Sequence, residues 1–174
     1  MNHKRISTLS TIFVLAMVML MAGSVPAAAK AERIYFTGQD CPIYVGPPER
    51  QWVSEDGVLH QRSVPMTTTL TYDTPYLNGM NYLVVNMDVD LATGAVHVYG
   101  ITEAHPDGIE GTWEGHFSTH VSPEGVINGR AVVHGTGELE GMISFLDISS
   151  PDVPDPACSN MNTTSNGTIL LPNE

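Results

Sequence analysis

The chain has 174 residues, 42% of them hydrophobic but only 7% aromatic, with 19 acidic against 7 basic side chains and a formal net charge of −12. Such an excess of negative charge repels nucleic acid and anionic lipid heads, and excludes both as electrostatic partners. It fits solubility outside the cell, or a neutral or cationic ligand.

Residues 1–29 have the grammar of an export leader. Lys4 and Arg5 form a positive start, Ile12 to Met21 a short apolar core, and Pro26 precedes the small residues Ala27, Ala28 and Ala29. Cleavage is expected after Ala29. The apolar run is too short for a spanning helix, and no Cys follows Leu20–Ser24 to take a lipid anchor. The expected product is a secreted or periplasmic soluble protein with no membrane insertion. Cleavage removes two basic residues and no acid, leaving 5 basic against 19 acidic and a net charge of −14. Residues 30–174 are enough for one domain with one hydrophobic core.

Ala31 to Gly38 reads as a first strand, and the Pro/Gly-rich stretch Cys41 to Arg50 as a loop. Gln51 to Ser54 and Val58 to Val64 flank Asp56-Gly57, a two-residue hairpin signal. Met66 to Tyr72 alternates, with Met66, Thr68, Leu70 and Tyr72 on one face and three threonines on the other. After the turn Asp73 to Gly79, the stretch Met80 to Leu91 puts Leu83, Val85, Met87, Val89 and Leu91 on one face and Asn86, Asp88 and Asp90 on the other. Thr93-Gly94 turns the chain into Ala95 to Thr102. A long strand follows from Ile109 to Ser122, then Val126 to His134, then Leu139 to Ser149. Ser150 to Asn166 reads as an irregular tail, and Gly167 to Leu171 as a last short strand. Eight to ten locally connected strands predict a single antiparallel up-and-down β-barrel of about eight strands, which removes exposed sheet edges. A β-sandwich is the alternative.

Cys41 and Cys158 are the only cysteines. In an oxidising compartment they are expected to form a disulfide between the first strand region and the tail. Two separate buried thiols are the alternative. A metal site is disfavoured, because the two lack the paired spacing of zinc ligands.

The segment Gly111-Thr-Trp-Glu-Gly115, a hairpin, and then His134-Gly-Thr-Gly-Glu-Leu-Glu-Gly-Met142 resembles the allene oxide cyclase-like barrel families. These include dirigent-related proteins and many bacterial secreted proteins. The matching region runs roughly from Val58 to Ile148. The resemblance implies a small antiparallel barrel with an apolar lumen, in which family enzymes cyclise or steer reactive apolar substrates by confinement. No matching catalytic constellation is present, so the resemblance carries the fold and not the activity.

Period two puts Thr112, Glu114, His116, Ser118 and His120 on one face of the long strand, and Trp113, Phe117 and Val121 on the other. With the aromatic face inward, the expected lumen residues are Trp113, Phe117, Leu83, Val85 and Met87. With the polar face inward, Glu114 and the histidines would line a cavity suited to acid–base work or metal binding. His116 and His120 lie about 13 Å apart along a strand, too far to share one ion. A metal would need Glu114, His116 and a neighbour such as His97 or His134. His97 and Tyr99 share a face that reads as solvated. The pairs Asp88/Asp90 and Glu138/Glu140 have a spacing permissive for glycoside chemistry, but the acidic background produces such pairs by chance. Gly135-Thr136-Gly137 opens no helix and is no nucleotide fingerprint. No Gly-x-Ser-x-Gly nucleophile motif occurs, and no catalytic residue, metal or cofactor is expected. Asn162 and Asn166 match glycan acceptors.

The expected function is enclosure of a small, mostly apolar ligand. The alternatives are a cyclase or isomerase using the same lumen, and an envelope-associated surface or adhesion module with a filled core.

Overall fold

The computed structural model describes residues 31–151, 158 and 162–172. The expected leader lies outside these residues, as do 152–157 and 159–161 of the expected tail. The strands are β1 (Arg33–Tyr44), β2 (Arg50–Val53), β3 (Val58–Tyr72), β4 (Gly79–Asp90), β5 (Val96–Pro106), β6 (Trp113–Val121), β7 (Ile127–Gly135), β8 (Ile143–Ser149) and β9 (Thr163–Leu170), with one 3-10 turn at Gly137–Leu139. From β3 onward each strand pairs antiparallel with the next. β1 pairs with both β9 and β3, so eight strands close into a barrel. The extra strand, β2, pairs with the early part of β3 that β1 does not reach. Closure excludes the sandwich.

The barrel lengthens several elements that the sequence cuts short. β1 runs on past Gly38 because partners are there for it: Asp40 faces Thr163 of β9 on one side and Leu70 of β3 on the other, and Cys41 to Tyr44 continue against β3 alone. Only residues 45–49 remain outside strands. Pro47 and Pro48 have no N–H to give, yet the flanking Val45 and Glu49 N–H groups still reach the Pro65 and Arg62 carbonyls of β3. β1 and β2 are thus one strand interrupted by a proline loop. The segments Val58 to Val64 and Met66 to Tyr72 fuse into β3, whose register against β4 shifts at a bulge between Gln61 and Val64. The last strand begins at Thr163 rather than Gly167, drawn into pairing with β1 and β8.

Two strands start later than expected. β6 starts at Trp113 because Gly108, at φ +74°, turns the chain and Gly111 N–H bonds back to the Ile109 carbonyl. β8 starts at Ile143, after the 3-10 turn and Gly141 at φ +81°. Leu91 falls past the end of β4 and is exposed rather than inward.

Cys41 and Cys158 are joined in a disulfide with a Cα separation of 5.2 Å, within the usual span for such a bridge. Of the two glycan-acceptor matches, Asn162 is buried and Asn166 is exposed.

Candidate functional site

Alternation in β6 decides which way the barrel faces. Trp113 and Thr119 are buried while Glu114, His116, Ser118 and His120 are exposed, so the aromatic face is the lumen face. The carboxylate and imidazoles of this strand project from the outer wall, which removes the expectation of an inward Glu/His set.

Inward side chains gather into two apolar layers. One holds Phe36, Leu70, Tyr72, Leu77, Trp113, Leu139 and Ile169. It seals one end of the barrel: Leu77 from the β3–β4 connection and Leu139 from the 3-10 turn fold across it, and the Trp113 indole N–H donates to the Tyr76 carbonyl at 2.8 Å. The other holds Val64, Met66, Val85, Met87 and Val98, with Leu83, Phe117 and Val121 packed against it. At that end the inward-facing Pro42, Val121, Ile127 and Ile148 keep partial exposure, so solvent reaches the lumen from there.

A cavity of about 150 Å³ lies within the lumen. Trp113, Phe117, Leu83 and Val85, four of the expected lumen residues, line it. Met87 does not. It packs in the second layer beside Val64 and Val98, with its sulfur 3.9 Å from the Tyr44 hydroxyl.

The wall also carries a polar cluster that the sequence reading did not find. Asp40 of β1 faces the cavity. Its Oδ1 accepts from the Tyr72 hydroxyl at 2.8 Å, and its Oδ2 accepts from Ser165 at 2.8 Å and Thr163 at 3.3 Å. Gly38 makes this possible. A Cβ there would collide with the Tyr72 ring, which instead lies across β1 and reaches Asp40 while meeting Phe36 edge-on at 5.4 Å. Burial pushes the Asp40 carboxyl above its ordinary value, and the three hydroxyl bonds only partly offset this. Burial, and then the Asp40 charge, push the Tyr72 phenol well above its usual range, so it stays a donor. Across the lumen, Thr102 donates to Asn81 Oδ1 at 2.6 Å, and both line the cavity.

The raised Asp40 pKa has a signed consequence for stability. Below the ordinary value of 3.8 both folded and unfolded chains hold the proton. As pH rises past that value the unfolded chain releases it first, so stability falls until the pH passes the native value. Asp40→Asn keeps the shape and removes the titration. Its denaturation midpoint should therefore gain on the native protein's between pH 3.5 and 7. A gap that stays constant over that range, or shrinks, would show that Asp40 is not held uncomfortably.

A second cluster lies outside the barrel, at the β3 bulge. Ser63 sits at φ 54° with its N–H on Asn86 Oδ1. The Arg62 guanidinium donates to the Gln61 and Met87 carbonyls, each at 3.0 Å, and pairs with Asp88 at 2.7 Å. It lies 5.2 Å from the Trp52 ring and 5.7 Å from that of Tyr99. His60 also meets Asp88, at 2.6 Å, and stacks on Trp52. Partial burial pushes the Asp88 carboxyl up, but hydrogen bonds from His60 and Arg62 and the charge of Arg62 outweigh it and hold the pKa low. The partners come from β2, β4 and β5 around the bulge, so the cluster ties the bulge to its neighbouring strands. Next to it, His97 stacks on His120 at 4.4 Å and meets Ser118 at 3.0 Å on the solvated face expected for it.

No family model, curated protein or solved structure matches this chain.

Proposed function

We propose that the protein is a container: an exported barrel that encloses one small, mostly apolar molecule in its lumen. The observation that carries this is the cavity of about 150 Å³, walled by Trp113, Phe117, Leu83, Val85 and Val98 and left unfilled by this chain's many small side chains. A cavity of that size accepts a guest on the scale of a single aromatic ring. A filled core would have favoured the surface-module reading. Kinship with the allene oxide cyclase-like barrels belongs to the same proposal. The glycine-patterned segments that carry it lie largely on neighbouring strands, with Trp113 facing Gly135 and Gly115 facing Val133. Export rests on the leader-like first 29 residues and agrees with the disulfide.

One observation favours the enzymatic alternative. Asp40 and Tyr72 are an acid pair converging in an apolar cavity, an arrangement that can hold a neutral carboxylic acid ready to donate to a substrate oxygen. In a cyclase or isomerase of this kind, Asp40 would be the proton donor and Tyr72 would steady the developing oxyanion.

Trp113 reports on the lumen. In a Trp52→Phe background, which removes the exposed indole on the outer wall, titration with toluene should change Trp113 emission saturably. Ala131→Trp would fill the lumen beside Phe117, its cross-strand partner, and should abolish toluene binding measured by calorimetry. Equal toluene affinity in the filled variant would place binding elsewhere and end the container reading.

A further inference from the structure

The cavity wall carries one carboxyl group and, among the described residues, no basic group. Among the residues lining it there is no Lys, Arg or His, and Asp40 is the one carboxylate. Asp40 is half-buried, and a carboxylate drawn from water in this way is ordinarily paired with a cation, because lost hydration is returned only in part by hydrogen bonds to hydroxyls. Here the protein supplies three hydroxyls and no counter-ion among the described residues.

The acceptor count points the same way. An ionised carboxylate offers about four acceptor positions. Tyr72 takes one on Oδ1, while Ser165 and Thr163 take two on Oδ2. About one position, on Oδ1, is left for a donor that the described residues do not provide, and Asp40 lines the cavity. Among the described residues, Tyr72 is the only other titratable group on the cavity wall, and it already donates to Asp40. Among the described residues, no cationic side chain lines the cavity to compete with an incoming positive charge.

The rest of the wall is apolar, with Leu83, Val85, Phe117 and Trp113 around the same space. Such a site suits a guest with a compact hydrocarbon body and one ammonium group. The whole chain favours the same sign, since its net charge of −12 raises the local concentration of small cations.

Resting on the container reading, we infer that the natural ligand is a small apolar amine, bound as the ammonium ion, with its N–H on Asp40 Oδ1 and its hydrocarbon part against Trp113 and Phe117. The guest supplies the counter-ion that the barrel lacks. Binding then needs no proton donor from the protein, and it moves Asp40 to its ionised form.

Three ring compounds of similar size separate this from the broader reading: benzylamine as cation, toluene as neutral body and benzoate as anion. Calorimetry at pH 7 on the full chain with its disulfide intact should give benzylamine an affinity at least tenfold above toluene, and no benzoate binding. Asp40→Asn should bring benzylamine down to the toluene level while toluene itself still binds, which also shows that the variant is folded. Toluene binding as well as benzylamine in the native protein would overturn the amine assignment and leave the container standing. Benzoate binding best would overturn it too. Binding of neither toluene nor benzylamine would overturn both.

Discussion

Truncating Trp113 to alanine should destabilise the barrel by about 3–5 kcal/mol, the cost typical of deleting a large aromatic from a packed interior. Trp113 has 0% exposure, and two groups depend on it besides the apolar layer it completes. The Tyr76 carbonyl would lose its indole donor, and the β3–β4 connection would lose the anchor that holds Leu77 over the barrel end. The neighbouring positions provide the contrast. Glu114 and His116 flank the same stretch of backbone but face water, so Glu114→Ala and His116→Ala should each stay within about 0.5 kcal/mol of the native protein. Urea denaturation of the three variants measures the ranking. A large loss for His116→Ala with a small one for Trp113→Ala would mean that the sheet is wound inside out.

Removing the disulfide is the second large effect. The bridge closes a loop with a sequence separation of 117, for which the chain-entropy model assigns about 4.7 kcal/mol or slightly more, drawn mainly from restriction of the unfolded chain. Cys41→Ser with Cys158→Ser should therefore lower the denaturation midpoint by several kcal/mol equivalents on that scale, and reduction of the native protein should do the same. The loss should appear first at the β1–β9 pairing, whose amides would exchange earlier than those of the β4–β5 hairpin. Loss of less than about 1 kcal/mol would show that the seam is held by its hydrogen bonds and packing alone.

The architecture was readable because a small barrel is written in alternation and turns. Phe117 and Trp113 share a parity that only an inward face explains, and hairpin glycines such as Gly57, at φ 82°, mark the reversals. What could not be read was the reach of strands whose partners are distant in sequence. From sequence β1 stops at Gly38, because a stretch rich in Pro and Gly follows from Cys41. The pairing that carries β1 onward comes from β9 and β3, which local pattern does not display. Asp40 was lost for that reason. The signal was present all the same: Ile34, Phe36 and Gly38 fix a phase, and the next position in that phase is Asp40. A charged residue in register with a core face is a site rather than a terminus when the chain beyond it can still pair. Met87 is buried on the inward face as expected, yet it is not among the residues that line the cavity. Its parity was right, but parity gives a direction and not a depth, and packing between Val64 and Val98 removed it from the cavity wall.

The closure of the barrel has a consequence in time. Every pairing from β3 to β9 joins neighbours along the chain and can form by local zippering, whereas β1 meets β9 only after the whole length between them has been ordered. Arg33 must find Leu170, and pairings between such distant residues are slow to form. The bridge from Cys41 lies along this last edge. Once oxidised it turns the most remote contact of the fold into a tethered one, so a chain that unfolds with its bridge intact re-enters the native state without repeating that search. A reduced chain must make the search once. The covalent link then records the outcome.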